Sequence, residues 1–250
     1  MAKTIVITGK GGVGKTVIAA LMIRHLREHA AGPVLAIDAD PDANLGTVLG
    51  VEVHDTLGDV REQTLAEIRK LPPGMDKAAY IEAGLHETIV ETDGVDFLVM
   101  GRPEGPGCYC YVNNLLREFA DKLLPSYQWM VMDSEAGMEH LSRRTASHVD
   151  HLIAVVDENP LSMDCARRIE AVIASVKNEV RHKHVLANGV PEDRLETVRA
   201  AMNRLDMEYL GCIPHDEAIR EAIIAGRPLT ELGDSPAVAK ISELMDKLGV

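Results

Sequence analysis

Aromatic side chains are scarce in this 250-residue chain, which holds two Phe, one Trp and five Tyr, so any core it builds must be aliphatic and rich in methionine. Positive charge is also short. Lys and Arg number 26 against 39 Asp and Glu, a formal net charge of −13 that repels nucleic-acid phosphate and anionic lipid, so neither nucleic acid nor a membrane is an expected partner. Four cysteines are too few for a disulfide framework, and two of them stand one residue apart, a spacing better suited to a metal than to each other. A reducing, cytoplasmic setting is expected. No apolar run approaches the roughly 18 residues that a membrane span needs, and glycines and lysines interrupt the first residues where a secretory leader would be apolar. What is present is 46% hydrophobic residues, enough for one sizeable core, and the expected organisation is a single domain over residues 1–250.

Short β-branched runs alternate with stretches of helical periodicity, which predicts an α/β fold with a mostly parallel central sheet and helices on both faces. Strands are expected over residues 4–8, 34–38, 95–100, 129–133, 151–156, 184–188 and 209–213. Nearly all are continuously apolar, as central strands should be. Helices are expected over 15–28, 113–124, 139–147, 162–179, 192–205, 216–225 and 236–248. Residues 51–94 are the least regular part, with Pro72, Pro73 and Gly74 in mid-course, and predict short helices on one edge.

The strongest motif is Gly9-Lys10-Gly11-Gly12-Val13-Gly14-Lys15-Thr16, which follows a predicted strand and opens a predicted helix. In such a loop glycines let backbone N–H groups curl around phosphate oxygens. Lys15 supplies charge to the β and γ phosphates, and the Thr16 hydroxyl can ligate Mg²⁺. Two predicted strands end in acids at the same sheet edge: Leu35-Ala36-Ile37-Asp38-Ala39-Asp40, stopped by Pro41, and Trp129-Met130-Val131-Met132-Asp133. Carboxylates there can coordinate Mg²⁺ or position an attacking water, although either end could be a solvated acidic turn.

Lys10 just after the first glycine makes the motif Lys-Gly-Gly-Val-Gly-Lys-Thr. With it the chain resembles the deviant Walker A ATPases, a P-loop NTPase family that includes the nitrogenase iron protein, MinD, ParA and CooC. That resemblance implies an ATPase that turns ATP and water into ADP and phosphate, and a nucleotide-controlled homodimer in which Lys10 reaches the partner's nucleotide. It further implies that Asp40 orients water with Asp38 in support, that Asp133 belongs to the Mg²⁺ shell, and that Asp133 to Gly137 is the second switch. Asn188, at a strand end, and Pro214, His215 and Asp216 resemble the family's adenine pocket.

Cys108-Tyr109-Cys110 follows Gly105-Pro106-Gly107. Two thiolates at i and i+2 supply half of a tetrahedral soft-metal site, and a second copy about a two-fold axis could supply the rest. Together with Asp-x-x-Ala-Gly-x-Glu-His-Leu over residues 133–141, this pair resembles the CooC and AcsF type of maturation ATPase. That likeness implies Ni²⁺ or Zn²⁺ shared across the dimer by Cys108 and Cys110. It also implies a client nickel enzyme, either carbon monoxide dehydrogenase or acetyl-CoA synthase. A ParA- or MinD-like positioning ATPase and an iron-sulfur carrier are the alternatives. The terminal segment over 237–250 balances Lys240 and Lys247 with Glu243 and Asp246, a poor membrane anchor. Cys165 and Cys212 are expected in core packing, and His182-Lys183-His184 on a solvated strand entrance. His140 is expected to support the second switch.

Overall fold

The structure is a computed structural model that describes residues 2–67, 77–101, 122–135, 148–175 and 179–250. The strands are β1 (Lys3–Gly9), β2 (Val34–Ala39), β3 (Val90–Glu91), β4 (Val95–Val99), β5 (Trp129–Ser134), β6 (His148–Val156), β7 (Glu179–Asn188) and β8 (Glu208–Ile213). They form one eight-stranded sheet in the order β3-β4-β2-β5-β1-β6-β7-β8. Every pairing is parallel except β3 with β4. β1 sits between β5 and β6, where the chain leaves one half of the sheet for the other, so the loop after β1 opens at the switch point where α/β sheets bind ligands.

The helices are α1 (Lys15–His29), α2 (Leu45–Leu49), α3 (Leu57–Glu67), α4 (Lys77–Glu87), α5 (Pro160–Ser175), α6 (Glu192–Met202), α7 (Glu217–Ile224) and α8 (Pro236–Leu248). Strand periodicity divides the core into two layers. Ile5, Ile7, Val34, Ala36, Val131, Ile153 and Val155 point to the layer holding α1, α7 and α8. Val6, Leu35, Ile37, Met130, Met132, Leu152 and Ala154 point to the layer holding α3 to α6. At α8, Ser235 accepts from the Val238 N–H and Pro236 follows at the first helical position; Gly249 closes the helix at φ 81°.

All seven expected strands form, and the fold class is the expected one. The helix read over 162–179 is corrected at both ends. It begins at Pro160, where the Leu161 N–H donates to Asn159 Oδ1 at 3.0 Å, and it does not reach Glu179, which already pairs with His148 as the start of β7; its described part runs to Ser175. His182 and His184 therefore lie inside a strand rather than at its entrance, and His184 is buried at 4% exposure. The helix read over 192–205 stops at Met202, and α2 and β3 were not anticipated. Cys165 is buried in α5, and Cys212 in β8 packs against the same layer, as expected. The helices expected over 139–147 and over most of 113–124 lie outside the described residues, as do Cys108, Cys110, Gly137 and His140; Leu124–Ser126 is a 3-10 turn.

Candidate active site

β1 delivers the glycine loop against the end of β6. A Cβ on Gly9, whose φ is 148°, would stand 2.5 Å from the Val155 carbonyl oxygen, so only glycine fits between the two strand ends. Gly11 and Gly12 are exposed, with open space where side chains would be, which leaves their N–H groups clear of bulk. Gly14, at φ 90°, leads into α1 and leaves room for Asn188, whose Nδ2 lies 2.3 Å from where a Cβ would be. Lys15 is 6% exposed, and its Nζ donates to the Lys10 carbonyl at 3.5 Å, a bond at the limit of length. The Lys10 Nζ donates to the Gly11 carbonyl, also at 3.5 Å.

Beside the loop, the β2–β5 register sets Asp38 opposite Asp133, and both are fully buried. Asp38 is committed locally: Oδ1 accepts from the Asp40 N–H at 3.1 Å and Oδ2 from the Leu45 N–H at 2.8 Å, which braces the turn carrying Asp40. Burial pushes the Asp38 carboxyl up to about 6 against those two bonds. Asp133 is different. Among the described residues, neither of its oxygens accepts a hydrogen bond of normal length. Burial pushes it up to about 7, Asp38 and Asp40 add to that, and the nearby Thr16 hydroxyl and Lys15 ammonium hold it down only in part. A buried carboxylate with no close donor among the described residues, beside the Thr16 hydroxyl and a second carboxylate, suits a hard divalent cation, so the residues present fit Mg²⁺. Asp40 itself is half-buried, and its Oδ1 caps the Asp42 N–H at 3.0 Å.

Next to the loop, between α1 and α7, opens a cleft of about 380 Å³. Asn188, Pro214, His215 and Asp216 line it. Two of these have further duties. The Asn188 amide donates to the Val13 carbonyl at 2.8 Å. Asp216 accepts from the Ala218 N–H at 3.0 Å and the Ala237 N–H at 2.9 Å, capping α7 and holding the start of α8. Burial raises the Asp216 carboxyl, but Ser235 and the backbone N–H groups outweigh it and leave it below the usual range. Its carboxylate is thus occupied by the fold, so backbone groups are what this turn offers a ligand. Sequence reasoning missed the apolar wall made by Val17, Leu21, Ile219, Ile223 and Ile224, and also Arg220. The sequence carried only the paired Ile223 and Ile224 near the end of a predicted helix, and the structure leaves them 46% and 73% exposed.

Cys108 and Cys110 lie outside the described residues. Among the described residues, no group of three or more His, Cys, Asp or Glu side chains is arranged to hold a metal. No described helix is long and apolar enough to cross a membrane.

The chain is 40% identical over 98% of its length, and 97% of the other protein, to an uncharacterised ATP-binding protein of Methanocaldococcus jannaschii. It is 31% identical to the carbon monoxide dehydrogenase accessory protein CooC of Rhodospirillum rubrum, over 98% of this chain and 97% of that one. In fold it matches a ParA family ATPase from Chlorobium tepidum over the whole of both chains, with a TM-score of 0.74 at 17% identity. The CobQ/CobB/MinD/ParA nucleotide binding domain family matches residues 4–229, and with the phosphate loop and paired acids at one sheet edge the chain belongs to that family of nucleotide-hydrolysing ATPases.

Proposed function

We propose that the chain works as an ATP-hydrolysing homodimer that carries Ni²⁺ or Zn²⁺ between two copies of Cys108 and Cys110 and assists nickel insertion into a carbon monoxide dehydrogenase-type enzyme. The observation that carries this reading is a conjunction: a CooC relative that aligns with nearly the whole chain, and a Cys-x-Cys in a chain with only four cysteines. Two thiolates cannot complete a tetrahedral site, and a two-fold axis supplies the other two from the same residues of a second copy.

In this reading the loop N–H groups and Lys15 hold the triphosphate, and the cleft beside Asn188 and Pro214 takes the base. Thr16 and Asp133 would hold Mg²⁺, which would supply positive charge against the triphosphate. Asp40 orients a water whose oxygen attacks the γ-phosphorus as the bond to the β-bridging oxygen breaks, and its carboxylate takes up the water's proton. Asp38 fixes the turn that presents Asp40. Lys10 of each chain meets the triphosphate of the other.

The test is metal content. Protein purified with Zn²⁺ or Ni²⁺ should hold one ion per two chains, and Cys108→Ser with Cys110→Ser should lose it while keeping ATP binding. One ion per chain that survives both substitutions sinks the shared site and favours a positioning ATPase of the ParA or MinD kind.

A further inference from the structure

The phosphate loop has little of its own to hold it in shape. Within it, the Val13 N–H donates to the Lys10 carbonyl at 3.4 Å, and both lysine ammonium contacts are at 3.5 Å. These are long bonds, and each weakens steeply if the loop breathes. The 2.8 Å bond from Asn188 Nδ2 to the Val13 carbonyl is of another kind, because it ties the loop to a strand end on the far side of the cleft.

That strand end is rigid. Asn188 pairs with Ile213 of β8, and the Gly189 N–H donates to the Ile213 carbonyl at 2.9 Å, so the residue that reaches across is fixed from behind. On the loop side the approach depends on Gly14, since any Cβ there would strike the amide nitrogen. Glycine at 14 therefore serves two ends: it permits φ 90° at the entry to α1 and it opens the slot through which Asn188 enters. Only the amide's nitrogen end can face a carbonyl, so the orientation of Asn188 is set by Val13.

We propose that Asn188 is a positioning residue for phosphate binding, a strut from β7 that holds the Val13–Gly14 turn in its phosphate-ready shape whatever base the nucleotide carries. This rests on the nucleotide reading of the site but goes beyond a base contact. A residue that only reads the base leaves a ligand without a base untouched. A strut acts on every ligand of the loop, and on the empty loop too.

The experiment compares wild type with Asn188→Ala and Asn188→Ser, both checked by thermal melting, in binding of Mg-ATP and of Mg-tripolyphosphate, which has no base. Hydrogen exchange of the ligand-free loop amides is measured in parallel. A strut predicts that both ligands weaken by a similar factor, about fivefold for one neutral hydrogen bond. It also predicts faster exchange at residues 11–15, with little change in melting temperature. Loss confined to ATP, or loop exchange unchanged in both variants, overturns it. Should either variant unfold, exchange in the other decides. A wild-type protein that binds neither ligand defeats the nucleotide reading itself and is recognised before any variant is compared.

Discussion

Asp38 and Asp133 face each other across two strands, yet neutralising one should change stability far less than neutralising the other. Asp38 satisfies two backbone N–H groups with two oxygens. Asp38→Asn keeps only one acceptor, so one buried donor loses its partner at a cost of about 1–2 kcal/mol. This offsets most of what the amide gains by replacing a buried carboxylate that burial lifts to about 6, so the ligand-free variant should unfold in denaturant close to wild type at pH 8. Among the described residues Asp133 has no such backbone partner, and its carboxyl is pushed up to about 7 by burial, with Asp38 and Asp40 adding to the effect. A folded-state value above the ordinary 3.8 means that the native protein keeps a proton which the unfolded chain has released. The stability this group contributes is present below about pH 4 and is lost as pH rises toward 7. Asp133→Asn, neutral at every pH, should therefore raise the melting temperature at pH 8 and much less at pH 5. The gain at pH 8 should be on the order of 2–4 kcal/mol, while Mg²⁺-dependent hydrolysis disappears. A variant less stable than wild type at pH 8 would mean that the carboxylate has a partner in the free protein.

At the scale of the element, β6 and β7 carry a group of imidazoles at the opposite end from the phosphate loop. His151 stacks on His182 and His184, with ring centroids 5.1 and 5.4 Å away, and its Nδ1 lies 3.1 Å from His184 Nε2. Burial first, and then the charges of neighbouring histidines, bring both His151 and His184 down to about 4. The surroundings are mixed. Lys3 on β1 and Lys183 and Arg181 on β7 are cationic, Asp150 on β6 takes Arg181 at 3.0 Å, Lys183 pairs with Asp206, and Glu208 on β8 stands 3.6 Å from His184 Nδ1. Because the unfolded chain protonates near 6.5 and the native pair only near 4, this contribution is complete above about pH 6.5 and is lost as pH falls toward 4. Amides of β6 and β7 should exchange markedly faster at pH 5 than the intrinsic rate change allows. Thermal unfolding should lose on the order of 3 kcal/mol over the same range, and His184→Leu should flatten it. An acid profile unchanged by that substitution would place the sensitivity elsewhere.

The same two strands show what a sequence discloses. The continuous β-branched runs of β1, β2 and β5 can be read because a strand buried on both faces needs nothing but apolar residues. The first half of β7 alternates arginine, histidine and lysine, with Arg181 and His182 exposed, so it resembles a helix tail running into a solvated loop. No glycine or proline stands between Ser175 and Glu179 to mark the break. Likewise the phosphate loop and the acids at 38, 40 and 133 are legible because motif and strand end coincide. The wall of the cleft joins Val17 and Leu21 to Ile219 and Ile224 from opposite ends of the chain. The Asn188 strut depends on a distance that no local pattern encodes.

For the whole molecule, charge and assembly pull against each other. Two chains of −13 each bring 2 × (−13) = −26 together, and two bound triphosphates add to it. Pairing then needs cations at the seam, and the proposed assembly has them in Mg²⁺, a shared soft metal and Lys10. Added salt, which screens the repulsion, should strengthen pairing rather than weaken it. Lys15 is buried inside its own loop, whereas Lys10 is half-exposed and, among the described residues, its ammonium makes only the 3.5 Å contact with the Gly11 carbonyl. Lys15→Ala should therefore abolish tight ATP binding. Lys10→Ala should bind ATP within about twofold of wild type yet fail to pair or turn over. Sedimentation equilibrium with a non-hydrolysable ATP analogue reads this directly, and adding Zn²⁺ completes the cycle. If both ligands prefer the paired state, the factor by which the analogue tightens Zn²⁺ binding must equal the factor by which Zn²⁺ tightens analogue binding. Equal loss of nucleotide affinity in the two lysine variants would put Lys10 on its own chain's phosphates, and the case for a partner-reaching lysine would fall with it.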